Sequence, residues 1–333
     1  MGNGRAVTLR DVAARAGVSV QTVSNALNAP QRLQADTLAT VTAAIRELGY
    51  QPNRSARSLR TSSARLIGYC VARRADGVAN PMMDQFLHAL TAAAEDEGRH
   101  VLLFTAPAGA EAMTPYADLI AQRAVDAFVL SDTVPHDPRH RWLTEHGARF
   151  ASFGRVWHEQ EQPGPWVDVD GAAGCAEAVR HLHSLGHKRI AFLGLPPDGG
   201  AVQDRQHGWQ AACGQLGLPT EGLLVHCADD TVRHGRDAAL RLLDGAEPPT
   251  ALVAASDVVA FGALHCGRPL AVVGFDDTPL AALVPPGLSS VRQPVAEVAR
   301  TLINLLDDDH ERGVLLRPEL VVRASSRTTV RES

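Results

Sequence analysis

The sequence has no apolar run approaching the roughly 18 residues of a membrane-spanning helix, so no membrane anchor is expected. Its N-terminus, Met1-Gly-Asn-Gly-Arg5, has no apolar signal-peptide core behind it, and a cytoplasmic location is the expectation. Cysteine is sparse: Cys70, Cys175, Cys213, Cys227 and Cys266 are odd in number, scattered, and form no C-x-x-C pair. A disulfide framework or zinc site does not fit that pattern; buried, reduced thiols do. Also missing are a G-x-S-x-G elbow, a G-x-x-x-x-G-K phosphate loop and a convincing pair of acids, so neither catalysis nor a cofactor is expected. The fourteen histidines do not supply a metal site either. His181 and His183 point to different sides of a helix, and Gly186 interrupts the spacing from His183 to His187.

What is present is a large core and an uneven charge. At 333 residues and 45% hydrophobic content, the chain has room for two or three domains. Residues 1 to 65 hold nine arginines, no lysine and three acids (Asp11, Asp36, Glu47), a net +6. The whole chain carries −5, so the remainder carries −11. A small basic head suits phosphate contacts, and a large acidic body would be repelled by them.

Within the head, Leu9, Val12, Ala13 and Ala16 share one helical face, Gly17 can turn with positive φ, and Ser19 is placed to cap a second helix. Val20, Val23 and Leu27 give that helix its apolar face. The pattern is a helix-turn-helix, whose second helix enters a DNA major groove. Leu38, Val41, Ile45 and Leu48 mark a third helix that Gly49 ends. The second helix is expected to expose Gln21, Thr22, Ser24 and Asn25. Gln and Asn amides can pair with adenine, and Ser and Thr hydroxyls hold phosphates; an ordinary polar surface is the alternative. In Pro52-Asn53-Arg54-Ser55-Ala56-Arg57-Ser58-Leu59-Arg60, three arginines surround one large apolar residue. That reads as a wedge for a minor groove, or as a minor packing contact.

The run from Val7 to Tyr69 resembles the lactose-repressor (LacI/GalR) family of bacterial transcription regulators. The resemblance is carried by Thr8 to Asn28, Leu48-Gly49-Tyr50-Gln51-Pro52-Asn53 and Ala56-Arg57-Ser58-Leu59-Arg60. It implies a hinge helix over 52–60 that folds on DNA, with Leu59 inserted at the centre of a pseudo-palindromic double-stranded operator. It assigns DNA contacts to Thr8, Val20, Gln21, Thr22, Ser24, Asn25, Asn53, Arg54, Ala56, Arg57, Leu59 and Arg60. Of these, Val20, Gln21 and Asn25 would read bases.

From Leu66 onward, apolar strand candidates (66–71, 101–105, 126–130, then 189–194, 223–226, 251–254 and 270–274) alternate with helical stretches such as Phe86 to Glu97. That pattern means parallel sheets covered on both faces, in two doubly wound series. A ligand would sit between them, at the carboxyl ends of the strands. The expected fold class is therefore α/β: an all-α helix-turn-helix head (1–50), a hinge helix (51–63), and a two-lobed, doubly wound parallel-sheet body (64–333). The family matches continue to about residue 328 through Asp168-Val-Asp170, Gly186 to Phe192, Arg205-x-x-Gly208-Trp209, Ser256-Asp257 and Val273 to Asp277. They imply a body like the periplasmic sugar-binding proteins, with crossovers near 166, 292 and 323. Lobe 1 would be 64–166 and 293–322, and lobe 2 would be 167–292 and 323–333.

The same resemblance places Arg205, Asp276, Ser256, Asn80 and Met82 at an effector, with Asp257 and Asp277 as caps. Relatives carry aromatics after Asn80-Pro81 where this chain has Met82-Met83. Stacking on a sugar would then fall to Trp157 or Trp166, for which packing is the competing role. Only Val258 to Val273 separates two of the matches, roughly ten residues fewer than a full crossover. The shortening leaves a stubby helix in the second-lobe part of the dimer contact. The expected function is a homodimeric, operator-specific repressor controlled by a small polar effector, most simply a sugar. A sugar-transport receptor would need a secretion signal and has no use for residues 8–60. An enzyme acting on sugars or nucleosides would need a clustered base, nucleophile or metal.

Overall fold

The computed structural model describes residues 7–50, 63–71, 80–107, 109–157, 162–196, 200–308 and 313–327. The chain divides into two compact units, 1–64 and 65–333. In the first, helices α1 (Leu9–Ala16), α2 (Val20–Asn28) and α3 (Ala35–Leu48) enclose a core of Val12, Ala13, Val23, Val41 and Ala44. The Asp11 carboxylate accepts from the Thr8 N–H at 2.8 Å and from its hydroxyl at 2.7 Å, closing the start of α1. Gly17 ends α1 with φ of 67° and has no neighbour near the position of a Cβ. Conformation, not space, demands glycine there. Ser19 Oγ accepts from the Thr22 N–H at 3.1 Å and caps α2.

The second unit holds two six-stranded sheets. β1 (Leu66–Cys70), α4 (Pro81–Asp96), β2 (His100–Phe104), α5 (Thr114–Ala121), β3 (Ala127–Leu130), α6 (Pro138–Glu145), β4 (Phe150–Phe153) and β5 (Trp166–Val169) build most of the first lobe. The second lobe follows with α7 (Gly171–Ser184), β6 (Ile190–Gly194), α8 (Gly200–Gln215), β7 (Leu224–His226), α9 (Val232–Leu243), β8 (Ala251–Ala254), α10 (Asp257–Leu264), β9 (Ala271–Asp276), α11 (Pro279–Leu283) and β10 (Ser289–Arg292). The chain then returns: α12 (Val295–Leu305) packs on α4, β11 (Gly313–Leu316) joins the first sheet and β12 (Glu319–Val321) the second. The sheet orders are β11-β5-β4-β3-β1-β2 and β12-β10-β9-β8-β6-β7. Among the described residues, every pairing is parallel except β10 with β12. Among the described residues, no helix is long and apolar enough to cross a membrane.

The expected α/β architecture of a helix-turn-helix head and two doubly wound lobes is what the chain forms. The lobe boundaries shift. β5 pairs with β4 and β11, so residues 166–169 belong to the first lobe and the crossover follows at 170. The second crossover lies at 293–294. The third lies at 317–318 rather than 323, because Glu319–Val321 already pairs with β10. The hinge, with Asn53, Arg54, Ala56, Arg57, Leu59 and Arg60, lies outside the described residues.

The short stretch after Ser256 closes its crossover by close helix packing. Sixteen residues join β8 to β9, within the dozen or more that a parallel connection needs. A Cβ on Gly262 of α10 would lie 2.1 Å from the Val232 carbonyl of α9, and one on Gly235 of α9 would lie 2.2 Å from the Val259 carbonyl of α10. Reciprocal glycines let the two backbones touch, so a helix of eight residues suffices.

Candidate functional site

In the head, Val20 is 42% exposed and Gln21 is open to solvent. Thr22 and Asn25 are half-buried, and Gln21 Nε2 donates to Asn25 Oδ1 at 3.0 Å across one helical turn. An exposed apolar residue beside two linked amides suits a thymine methyl next to hydrogen-bonding base edges. Ser24 departs from expectation: it is 8% exposed, buried with Val23. Positions 23, 24 and 27 share one face at 3.6 residues per turn, so its polarity did not place it outside. The Thr8 hydroxyl is engaged with Asp11.

In the second lobe, the ends of β8 and β9 bring the predicted effector residues together. Arg205, from the first turns of α8, donates through Nη1 to the Ala255 carbonyl at 2.5 Å. Its guanidinium carbon stands 3.8 Å from the Phe275 ring centroid, and Nη2 is 3.9 Å from Asp276 Oδ1. The ring and the carbonyl hold the fork in place with most of its donors unspent. Asp276 is 8% exposed and accepts from Gln293 Nε2 at 2.7 Å. Its backbone φ is 109° and that of Asp277 is 49°. Such strain persists where neighbours over-determine it; Arg292 and Arg323 bond the Asp277 carboxylate at 2.7 and 2.6 Å. Asp277 is thus an anchor for this turn.

Burial pushes the Asp276 carboxyl up to about 8, with Arg205 opposing and Asp257 and Asp230 adding to the rise. Asp257 is raised to about 6 by burial against hydrogen bonds from Ser290 Oγ and from the Thr278 N–H and hydroxyl. Those bonds lock α10 to the strand ends beside the site. Ser256 caps α10 by accepting from the Val259 N–H and donates to Asp230 Oδ1 at 2.5 Å. One guanidinium among three carboxyls makes the wall acidic. It favours hydroxyl-bearing or cationic groups over anions. Gln293, in the second crossover just after β10, adjoins Asp276 and was missed by sequence reasoning.

The first-lobe candidates lie away from this wall, each with local contacts of its own. Asn80 Oδ1 accepts from the Met82 and Met83 N–H groups at 2.9 and 3.4 Å, capping α4 behind Pro81. Met82 is 9% exposed and belongs to the first-lobe core with Phe86 and Phe153. Trp157 lies between Gly200 and the Arg155 guanidinium, and Trp166 packs on Gly313. The histidines of α7 have structural partners: His181 meets Ser326 at 2.9 Å, and His187, next to that helix, meets Thr250 at 2.9 Å. An open cavity of about 560 Å³ beside β7 is lined by Pro196, His226, His234, Asp237 and Arg241. Its two histidines are already bonded, to Gln206 and Thr231. The Arg205–Asp276 pair, nearly buried at parallel strand ends, is the better candidate for a ligand site.

Two family models match the sequence: bacterial regulatory proteins, lacI family, over residues 8–53, and the periplasmic binding protein-like domain over 179–326. The HTH-type transcriptional regulator CelR of Thermobifida fusca is 32% identical over 91% of this chain and 92% of its own length. Among solved structures, a transcriptional regulator CelR–cellobiose complex matches 96% of this chain and 99% of its own, at 30% identity and TM-score 0.72. The Lac repressor dimer bound to operator and the anti-inducer ONPF matches 97% and 99%, at 27% identity and TM-score 0.82.

Proposed function

The chain belongs to the lacI family of bacterial transcriptional regulators, and on that premise we propose that it is an operator-specific repressor whose DNA affinity is set by a neutral polyhydroxylated effector, a sugar or sugar derivative. The observation that carries the reading is the fixed Arg205 fork beside the buried Asp276 carboxyl at the strand ends. Arg205 bridges neighbouring hydroxyls, and Asp276 either accepts from a hydroxyl or, while protonated, donates to one. The surrounding Asp230 and Asp257 disfavour phosphorylated or carboxylate-bearing effectors. The CelR–cellobiose complex supports a sugar as the class. A homodimer in the cytoplasm, with Gln21 and Asn25 in successive major grooves and Leu59 at the operator centre, is the acting form. Effector binding between the lobes and operator binding at the head are then coupled, each altering the other's affinity.

A thermal-shift screen of neutral sugars against their phosphate esters tests this. A hit should stabilise the wild type, fail on Arg205→Ala, and change the affinity for a DNA site selected from a random pool. A hit that stabilises Arg205→Ala equally, or leaves DNA affinity unchanged, overturns the reading.

A further inference from the structure

Beyond the crossovers, side chains of one loop reach from one lobe to the other. Arg155 and Trp157 lie between β4 and β5, in the first lobe; Gly200 and Asp204 lie on α8, in the second. The Trp157 ring rests on Gly200 so closely that a Cβ there would stand 1.8 Å from Trp157 Cγ. Arg155 covers the ring, its guanidinium carbon 4.3 Å from the centroid. Its Nε donates to Asp168 Oδ2 at 2.9 Å, and its Nη2 is 3.8 Å from Asp204 Oδ1. Gln162 brackets the loop, accepting from the Val156 N–H at 2.7 Å and donating to the Val156 carbonyl at 2.9 Å. Asp204 also accepts from the Ala172 N–H at 3.0 Å, at the start of α7 just past the first crossover.

We propose that Trp157 and Arg155 form a latch across the lobes, with Gly200 as its seat and Asp204 as its catch. The ring is flat and the seat has no side chain, so apposition of the lobes is set by one aromatic thickness. Asp204 and Arg205 are neighbours on α8, and a Cβ on Gly171 would stand 2.9 Å from Arg205 Cγ and 3.1 Å from Asp204 Oδ2. A shift of Arg205 therefore displaces the catch. The regulatory consequence rests on the effector reading above: a ligand held by Arg205 biases the latch, and the latch biases the lobes. The latch itself does not depend on that reading.

Gly200→Ala tests it in the full-length protein. Gly200 begins a helix, where alanine fits the backbone, so folding should survive. The ring must retreat by at least 1.6 Å to reach an ordinary 3.4 Å contact. Nitroxide labels at Glu145→Cys and Arg233→Cys, exposed on the two lobes, report the spacing by double electron–electron resonance. The natural Cys175, Cys213, Cys227 and Cys266 are buried and should label slowly, and the half-buried Cys70 is replaced by Cys70→Ser in every protein compared.

The expected result is a main distance peak displaced by more than the wild-type peak width in Gly200→Ala. Adding Gly200→Ala to Trp157→Ala should cause no further displacement, because no ring remains to be expelled. An unchanged distribution in Gly200→Ala overturns the latch, as does an equal displacement with and without Trp157. A sugar that stabilises the wild type but leaves the lobe distances unmoved counts against the effector reading and leaves the latch standing.

Discussion

Replacing Asp276 by asparagine changes the electrostatics of the second-lobe site while keeping its shape. Asparagine tolerates the positive φ at this position and keeps the oxygen that accepts from Gln293. In the wild type, burial raises the carboxyl to about 8, against roughly 3.9 in an unfolded chain. Between those values the native state holds a proton that the unfolded state has released. Stability is therefore fully present below about pH 4, falls as pH rises, and levels off above about pH 8. For Asp276 alone the slope is at most about 1.4 kcal/mol per pH unit, so from pH 5 to pH 7 this group withdraws at most about 3 kcal/mol. Asp257, also raised by burial, adds a slope of its own in both proteins, so the difference between them isolates position 276. Position 276 does not titrate in Asp276→Asn, so that variant's advantage over the wild type should grow with pH, by up to about 3 kcal/mol across the interval. Urea unfolding of both proteins at pH 5, 6 and 7 measures it. A difference that stays flat within about 0.3 kcal/mol would refute the buried, proton-retaining carboxyl and with it the electrostatic picture of the site.

Gly262→Ala should cost about 2–3 kcal/mol, because its Cβ meets the Val232 carbonyl and the Arg236 N–H, both backbone. Gly214→Ala, with nothing within 4 Å, should instead stabilise by up to about 1 kcal/mol; thermal unfolding of the pair should show opposite signs. Gln21→Ala and Asn25→Ala should each lose about 1–3 kcal/mol of discrimination between a selected operator and random DNA, with the head's melting unchanged; equal losses on both DNAs would remove them from base reading. Leu59→Ala should weaken operator binding more than nonspecific binding at fixed salt, and equal loss would count against the wedge.

Much of this was legible because it is local. The helix-turn-helix needs a face repeat, one left-handed glycine and one cap, all within the 21 residues from Thr8 to Asn28. The strands of continuous apolar residues, such as Ile190–Gly194 and Ala271–Asp276, announced themselves in the same way. Phe150–Phe153, Trp166–Val169 and Ser289–Arg292 did not, because Ser152, Asp168, Ser289 and Ser290 interrupt the apolar signal. Those polar groups are bonded inside the fold, Ser152 to the Gly154 carbonyl, Asp168 to Arg155 and Ser290 to Asp257. Ser24 misled for the same reason: composition reports polarity, and only packing reports burial.

Sequence alone settled the helix-turn-helix, the alternation of apolar strands with helices, and the charge contrast between head and body. Those properties follow from dihedral preferences and periodicity over a few residues. Tertiary structure decided which groups are used. It brought Gln293 from the second crossover onto Asp276, and assigned Asn80 to a helix cap and Met82 to the core. It also laid Trp157 on Gly200 across the lobes. Each contact joins separate elements or fixes which way a side chain faces, and both depend on the parallel crossovers returning the chain to a strand it left long before.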